Sequence, residues 1–273
     1  MRSNIRRYRE QKFLVWRCGH CRSLHTGQVE NLADYYQDYP MHHARLDYFS
    51  RAWYRIFLER LVRAGLRKAC RILDYGCGNG HFLEFLKERG YTQIVGYDPY
   101  AMRFNDPGVL QEKYDWVIAI DVIEHVEEPR AFIGLMLNFL NPAGRLCIQT
   151  PNADGIILES AEDFIHELHV PYHRHILSRQ GLVDLGRKEG LEPVAFYARY
   201  FVDSWQPGTS WSFIEAFVRF RGNDFDALFE PPPASLFLKH PSLILEFFFG
   251  YFLAPKKESQ MMMILAPLPI RGA

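Results

Sequence analysis

The stretch Leu73-Asp74-Tyr75-Gly76-Cys77-Gly78-Asn79-Gly80 holds residue types whose spacing could do chemistry. An apolar run passes into three glycines at alternate positions, and helix-forming residues follow from His81. Glycine lets backbone amides approach a ligand that a Cβ would repel. The helix start beyond it offers N–H donors that no helical carbonyl satisfies. Asp98 ends the next apolar run, eighteen residues after Gly80. An acid there can accept hydrogen bonds from both hydroxyls of a ribose. Together these residues describe a site for an adenosine-containing cofactor. The loop reads G-x-G-x-G, whereas dinucleotide sites read G-x-G-x-x-G. Asp74 would repel a pyrophosphate and suits a cationic group such as an amino acid ammonium.

Two further blocks follow in order. One is Asp115-Trp116-Val117-Ile118-Ala119-Ile120-Asp121-Val122-Ile123-Glu124-His125-Val126. The other is Asn141-Pro142-Ala143-Gly144-Arg145-Leu146-Cys147-Ile148-Gln149-Thr150-Pro151-Asn152. With the glycine loop, they resemble the class I S-adenosylmethionine-dependent methyltransferases. The branch resembled holds ubiquinone-pathway O-methyltransferases and many sugar and natural-product methyltransferases. The resemblance covers residues 46–201 and extends to the last strand.

The resemblance implies a Rossmann-like α/β fold, a parallel sheet with an antiparallel last strand, flanked by helices. It implies S-adenosyl-L-methionine as cofactor, with Asp74 at its methionine end. Gly76, Cys77, Gly78 and Gly80 would surround it, Asp98 would hold the ribose, and Pro99 or Tyr100 would lie against the adenine. Asp121 ends the fourth strand, where open α/β sheets bind ligands, and it is either a cofactor-side residue or a helix N-cap.

In methyl transfer the cofactor carries the hard chemistry, and the protein must align donor with acceptor. If the acceptor is a hydroxyl, a base helps remove its proton, and histidine is suited to that. His125, His169 and His173 are the candidates. In some ubiquinone-pathway relatives the equivalent acid and histidine are thought to bind a divalent metal, which would make Asp121, Glu124 and His125 the ligands here. The preferred alternative is that Glu124 and His125 brace a helix start, with no metal. Glu162, His166 and His169 share one face if their segment is helical, but their spacing matches no strong metal signature.

These residues need a scaffold, and the apolar pattern supplies one. Residues 46–70 repeat at helical spacing through Phe49, Trp53, Ile56, Phe57, Leu61 and Ala64. Strands are expected at 71–75, 94–97, 116–120, 145–150, 191–201 and 261–266. Helices are expected at 81–89, 129–140 and 179–189, with the Asn141–Gly144 turn stopping the second. Strands alternating with helices make a parallel α/β sheet. The 203–258 segment is rich in aromatics and proline and is long for a connection within a domain, so it reads as a cap or subunit element.

Residues 1–45 form a basic extension ahead of a domain at 46–273. Cys18-Gly19-His20-Cys21 looks like one knuckle of a zinc ribbon whose second pair is missing. Structural zinc takes four ligands, and only His25, His42 or His43 could complete the set, so the knuckle reads as a remnant without metal.

The chain has 273 residues, with 32 basic and 32 acidic side chains. That balance argues against a nucleic-acid partner, since phosphate binding needs excess positive charge. Five scattered cysteines and no visible signal peptide point to a cytoplasmic setting. The apolar run near 243–254 is too short to span a bilayer. Residues 236–254 could still meet a membrane surface or a second subunit.

The expected activity is therefore methyl transfer to a small-molecule acceptor, most simply at a hydroxyl of a sugar, a phenol or quinone precursor, or a lipid-linked metabolite. The alternatives are C- or N-methylation, or a non-catalytic S-adenosylmethionine-binding protein that acts through its N-terminal extension.

Overall fold

The computed structural model describes residues 1–27, 46–233, 235–253 and 257–268. His42, His43 and Lys256, and so part of the expected extension and cap, lie outside these residues. The chain opens with a hairpin of β1 (Val15–Arg17) and β2 (Leu24–Thr26). Helix α1 (Tyr48–Arg63) starts on an Asp47–Ser50 capping box, in which each side chain accepts from the other residue's backbone N–H. Strand β3 (Ile72–Tyr75), helix α2 (His81–Glu88) and strand β4 (Ile94–Tyr97) then form the first crossover unit. Strand β5 (Tyr114–Ile120), helix α3 (Pro129–Leu137) and strand β6 (Leu140–Pro151) form the second. The short helix α4 (Ile165–Leu168), the two-residue strand β7 (His175–Ile176), helix α5 (Arg179–Lys188) and strand β8 (Leu191–Tyr197) follow. Helices α6 (Trp211–Arg219), α7 (Leu236–Lys239) and α8 (Ser242–Leu253) precede the final strand β9 (Gln260–Pro267).

The main sheet has the order β4-β3-β5-β6-β9-β8. The first four strands are parallel, and β9 runs antiparallel to both β6 and β8. Strand alternation divides the core in two. Ile72, Trp116, Ile118, Cys147, Met262 and Ile264 face Phe57 and Leu61 of α1 and Phe82 and Phe85 of α2. Leu73, Val117, Ala119, Leu146, Met263 and Leu265 face Phe132 and Met136 of α3 and Leu182 of α5. Both faces are covered, as a largely parallel sheet requires.

Three local expectations give way to longer-range forces. The helix expected to run to residue 140 ends at Leu137, and the expected turn at 141–144 joins β6. Tyr114 pairs with Leu140, and Asn141 Nδ2 donates to Asp115 Oδ1 at 2.8 Å, so the turn residues are held against β5. The helical face expected for Glu162, His166 and His169 does not form. The backbone is non-helical at Ser160, a 3-10 stretch ends at Phe164, and His169 is left-handed at φ 33°. Asp121 caps no helix, since Glu128 is the residue ahead of α3.

The N-terminal hairpin does not stand apart. Strand β2 pairs antiparallel with β7, setting Leu24 opposite Ile176 and His25 opposite His175. Arg17 donates to the carbonyls of Ala153 and Ile156 at 2.9 and 2.6 Å.

Candidate active site

The site forms at the carboxyl ends of β3, β4, β5 and β6. Gly76, Gly78 and Gly80 all have positive φ, at 79°, 52° and 77°. A Cβ on Gly76 would sit 2.4 Å from Val122 Cγ2, and one on Gly80 would sit 2.4 Å from Phe104 Cζ. A Cβ on Gly78 would meet nothing within 4 Å, so the middle of the loop borders open space. The Cys77 side chain turns away from that space toward Gly96, and burial pushes its thiol up. The amides of Gly76 and Cys77 donate to the Tyr97 carbonyl, at 2.7 and 3.2 Å, and join the loop to the end of β4.

Asp98 follows directly. Its Oδ2 accepts from Gly78 N and its Oδ1 from Tyr100 N, each at 2.8 Å. Each carboxylate oxygen retains a further lone pair for a ligand hydroxyl. Pro99 and Tyr100 are exposed beside it. Asp74 is 2% exposed, and its carboxyl is pushed up to about 7 by burial and then by the Asp98 charge. A cation placed there would restore its ionised form. A buried acid and an open glycine loop thus fit the ammonium and adenosine parts of S-adenosylmethionine.

A second cluster adjoins the first through Val122, the neighbour of Gly76. Asp121 has φ 51°, and its oxygens accept from Gln149 Nε2 at 3.1 Å and the Tyr200 hydroxyl at 3.5 Å. Burial raises its carboxyl to about 6. Glu124 is fully buried; Oε2 accepts from Thr150 Oγ1 at 3.0 Å, while Oε1 has no hydrogen-bond partner. Burial, with Asp121 adding to it, raises its carboxyl well above the ordinary range.

The expected histidines gather here. His125 Nδ1 lies 3.1 Å from the Tyr172 carbonyl, and His173 Nδ1 lies 2.6 Å from the Glu167 carbonyl. A carbonyl only accepts, so both Nδ1 atoms carry hydrogen and Nε2 is the lone-pair nitrogen of each neutral ring. The two rings meet edge to face at 4.8 Å between centroids. Burial lowers His125 to about 4 and places His173 well below its usual range. His169 stands beside His173 with centroids 5.1 Å apart and is lowered by burial to about 3. His166 bonds Asn4 and shares the Phe225 ring with His169. One ligand atom from each of Glu124, His125 and His173 falls within 4.8 Å of the others, a donor set that fits a divalent cation. Asp121 is not in that set.

The sequence reading missed three contributors. Tyr54 of α1 is half-buried, and its phenol is raised by burial and then by the charges of Asp74 and Asp121. Gln149 and Tyr200 hold Asp121 from β6 and from the segment after β8. Only the position of Gln149 at the end of an expected strand gave any signal.

A largely parallel α/β sheet with a glycine loop and an acid ending the next strand is the arrangement on which nucleoside cofactors bind. Residues 42–195 match the family model described as a methyltransferase domain, and the chain belongs to that family. It is an S-adenosyl-L-methionine-dependent methyltransferase. Over 181 residues it is 29% identical to a ubiquinone biosynthesis O-methyltransferase of Dinoroseobacter shibae, covering 56% of this chain and 73% of the relative. A similarly described protein of Cereibacter sphaeroides is 26% identical over the same coverage. The crystal structure of magnesium protoporphyrin IX methyltransferase from Synechocystis aligns with a TM-score of 0.45 at 16% identity, over 61% of this chain and 90% of that one.

Proposed function

We propose that this methyltransferase acts on a hydroxyl oxygen of a small-molecule acceptor, with His125 or His173 as the base. The carrying observation is the pair of neutral imidazoles whose Nδ1–H groups are fixed on backbone carbonyls. That bonding aims the basic Nε2 atoms away from those carbonyls. When bound, S-adenosylmethionine would supply the methyl group to the acceptor oxygen and leave as S-adenosylhomocysteine, and Nε2 would take the acceptor proton. The O-methyltransferase descriptions of the relatives point to the same acceptor atom.

Glu124, His125 and His173 would also hold a divalent cation, and the unpartnered Glu124 Oε1 favours that second reading. Such an ion, when bound, lowers the pKa of a coordinated hydroxyl. In either reading the domain at 46–273 does the chemistry and the 203–258 insert caps it. The exposed side of α8, with Ile244, Leu245, Phe248, Phe249, Phe252 and Leu253, supports an apolar acceptor or surface. Among the described residues no helix is long and apolar enough to cross a membrane.

The test is a turnover screen of phenolic, catecholic and sugar acceptors, following S-adenosylhomocysteine and the methylated product by mass spectrometry. O-methylated product, with turnover lost in His125→Ala or His173→Ala, supports the reading. Unchanged turnover in both variants removes the histidine base, and a methyl group on carbon or nitrogen removes the hydroxyl. Liposome flotation that leaves the protein unbound would argue against a membrane role for α8.

A further inference from the structure

The methyl-transfer chemistry uses neither Cys18 nor Cys21, yet the fold gives both a defined setting. The turn between β1 and β2 is closed by Cys18 N donating to Ser23 O at 2.8 Å and Arg22 N donating to Cys18 O at 3.1 Å. Arg22 is left-handed at φ 64°. Ser178, the N-cap of α5, donates its hydroxyl to Cys21 O at 2.5 Å and its N–H to Ser23 Oγ at 3.0 Å. The turn is therefore anchored from outside its own hairpin.

His25 completes a three-residue set: ligand atoms of Cys18, Cys21 and His25 all lie within 4.8 Å of one another. Two thiolates and an imidazole are zinc ligands, and tetrahedral Zn–S and Zn–N bonds set ligand atoms about 3.3–3.8 Å apart. Side-chain rotation would have to close the remaining gap on metal binding. His175 stands opposite His25 across the β2–β7 pair, outside that three-residue set. His175 Nδ1 lies 2.9 Å from His25 Nδ1. His175 Nε2 lies 3.1 Å from the Glu127 carbonyl, so it donates there and Nδ1 keeps the lone pair. Metal-ligating histidines are commonly oriented by such a bond from their other nitrogen.

We propose that Cys18, Cys21, His25 and His175 form a structural zinc site that clips the N-terminal hairpin onto the catalytic domain. Two ligands come from the turn, one from β2 and one from β7. The missing second cysteine pair is thus replaced by histidines from two paired strands. The clip also reaches the active site through the backbone. Thr26 N donates to Arg174 O at 3.1 Å and Thr26 Oγ1 to His173 O at 2.6 Å. Arg174 N and His175 N both donate to Glu124 O, at 2.8 and 3.2 Å. The zinc site would thus brace the segment that carries His173 and holds Glu124.

The site is tested on the full chain, purified without a polyhistidine tag from zinc-supplemented medium, with metal measured by plasma mass spectrometry. The expected result is one zinc per chain in the wild type, lost in the Cys18→Ser/Cys21→Ser double variant and retained in Glu124→Gln. Substoichiometric zinc in the wild type overturns the proposal. So does zinc that survives the double cysteine change and leaves with Glu124→Gln, since that ion belongs to the catalytic cluster. Cobalt titration of the metal-stripped wild type guards against a variant that fails to fold. Thiolate-to-cobalt charge-transfer bands with intense tetrahedral ligand-field bands are expected, and their absence also overturns the site.

Discussion

Asp74 makes cofactor affinity depend on pH in a calculable way. Its carboxyl stands at about 7 in the unliganded protein, raised by burial and by Asp98. The cationic methionine end of S-adenosylmethionine favours the ionised form, so binding expels whatever proton Asp74 carries. The ionised fraction is about 0.9 at pH 8 and about 0.1 at pH 6. Affinity should therefore fall about tenfold across those two units, or about 1.4 kcal/mol. Calorimetry in buffers of different ionisation enthalpy reads the same event directly. About half a proton should be released per cofactor at pH 7 and nearly one at pH 6. Asp74→Asn keeps the shape and removes the titration. It should weaken binding by the loss of a charge-assisted bond, about 1.5–3 kcal/mol, and flatten the pH dependence.

The unliganded protein should show the opposite face of the same linkage. A carboxyl whose folded value lies above its unfolded value of 3.8 binds more protons when folded. Its contribution to stability is present at low pH and is lost as pH rises from about 4 to about 7, by up to about 4 kcal/mol. Asp121 and Glu167 are also raised by burial, to about 6 and about 7, so the comparison with Asp74→Asn isolates one group. Equal cofactor affinity at pH 6 and pH 8 in the wild type would refute the reasoning, as would a pH dependence that persists in the variant.

Four other outcomes follow from the geometry. Gly80→Ala puts a Cβ 2.4 Å from Phe104 Cζ at φ 77°, and should cost about 1–3 kcal/mol of stability, read as a lower Tm. His173→Ala should lower kcat about a hundredfold or more and leave cofactor affinity unchanged. Because burial holds His125 near 4, kcat at saturating cofactor should stay flat from about pH 5 to 8, while kcat/KM for the cofactor falls below about 7. Tyr200→Phe removes a bond that favours the Asp121 carboxylate, so that group should titrate above about 6, measured by carboxyl-carbon NMR.

The cofactor half of the site was readable in the sequence because its signals are local. Asp74 to Gly80 is a strand end, a turn that needs positive φ and a helix start, all within eight residues. Asp98 is marked by the end of its strand. The acceptor half is built from pairs distant in sequence, and single-residue patterns do not carry those. Tyr200 reaches Asp121 across 79 positions, and Glu167 fixes His173 through a carbonyl that any residue would supply. The helical face expected to join Glu162, His166 and His169 depended on unbroken periodicity. A non-helical Ser160 and a left-handed His169 break it; both histidines meet the Phe225 ring, but His166 bonds Asn4 while His169 packs on His173.

The same division explains why the histidines matter more for where they are held than for their sequence context. A histidine in water is half protonated near neutrality, and as a base it would be active only in part. Here His173 is buried and His125 half-buried beside Glu124, and each Nδ1–H is committed to a carbonyl on the 167–172 segment. That segment packs on the N-terminal residues: Val170 O accepts from Ser3 Oγ at 2.6 Å, and Tyr172 meets the Tyr8 ring at 5.8 Å. Removing residues 1–27 should loosen the segment around His169 and His173 and the carbonyls that orient the proposed bases. On the proposed reading residues 1–27 wall the acceptor side, and their loss should reduce turnover while the glycine loop, held by β3 and β4, still binds cofactor.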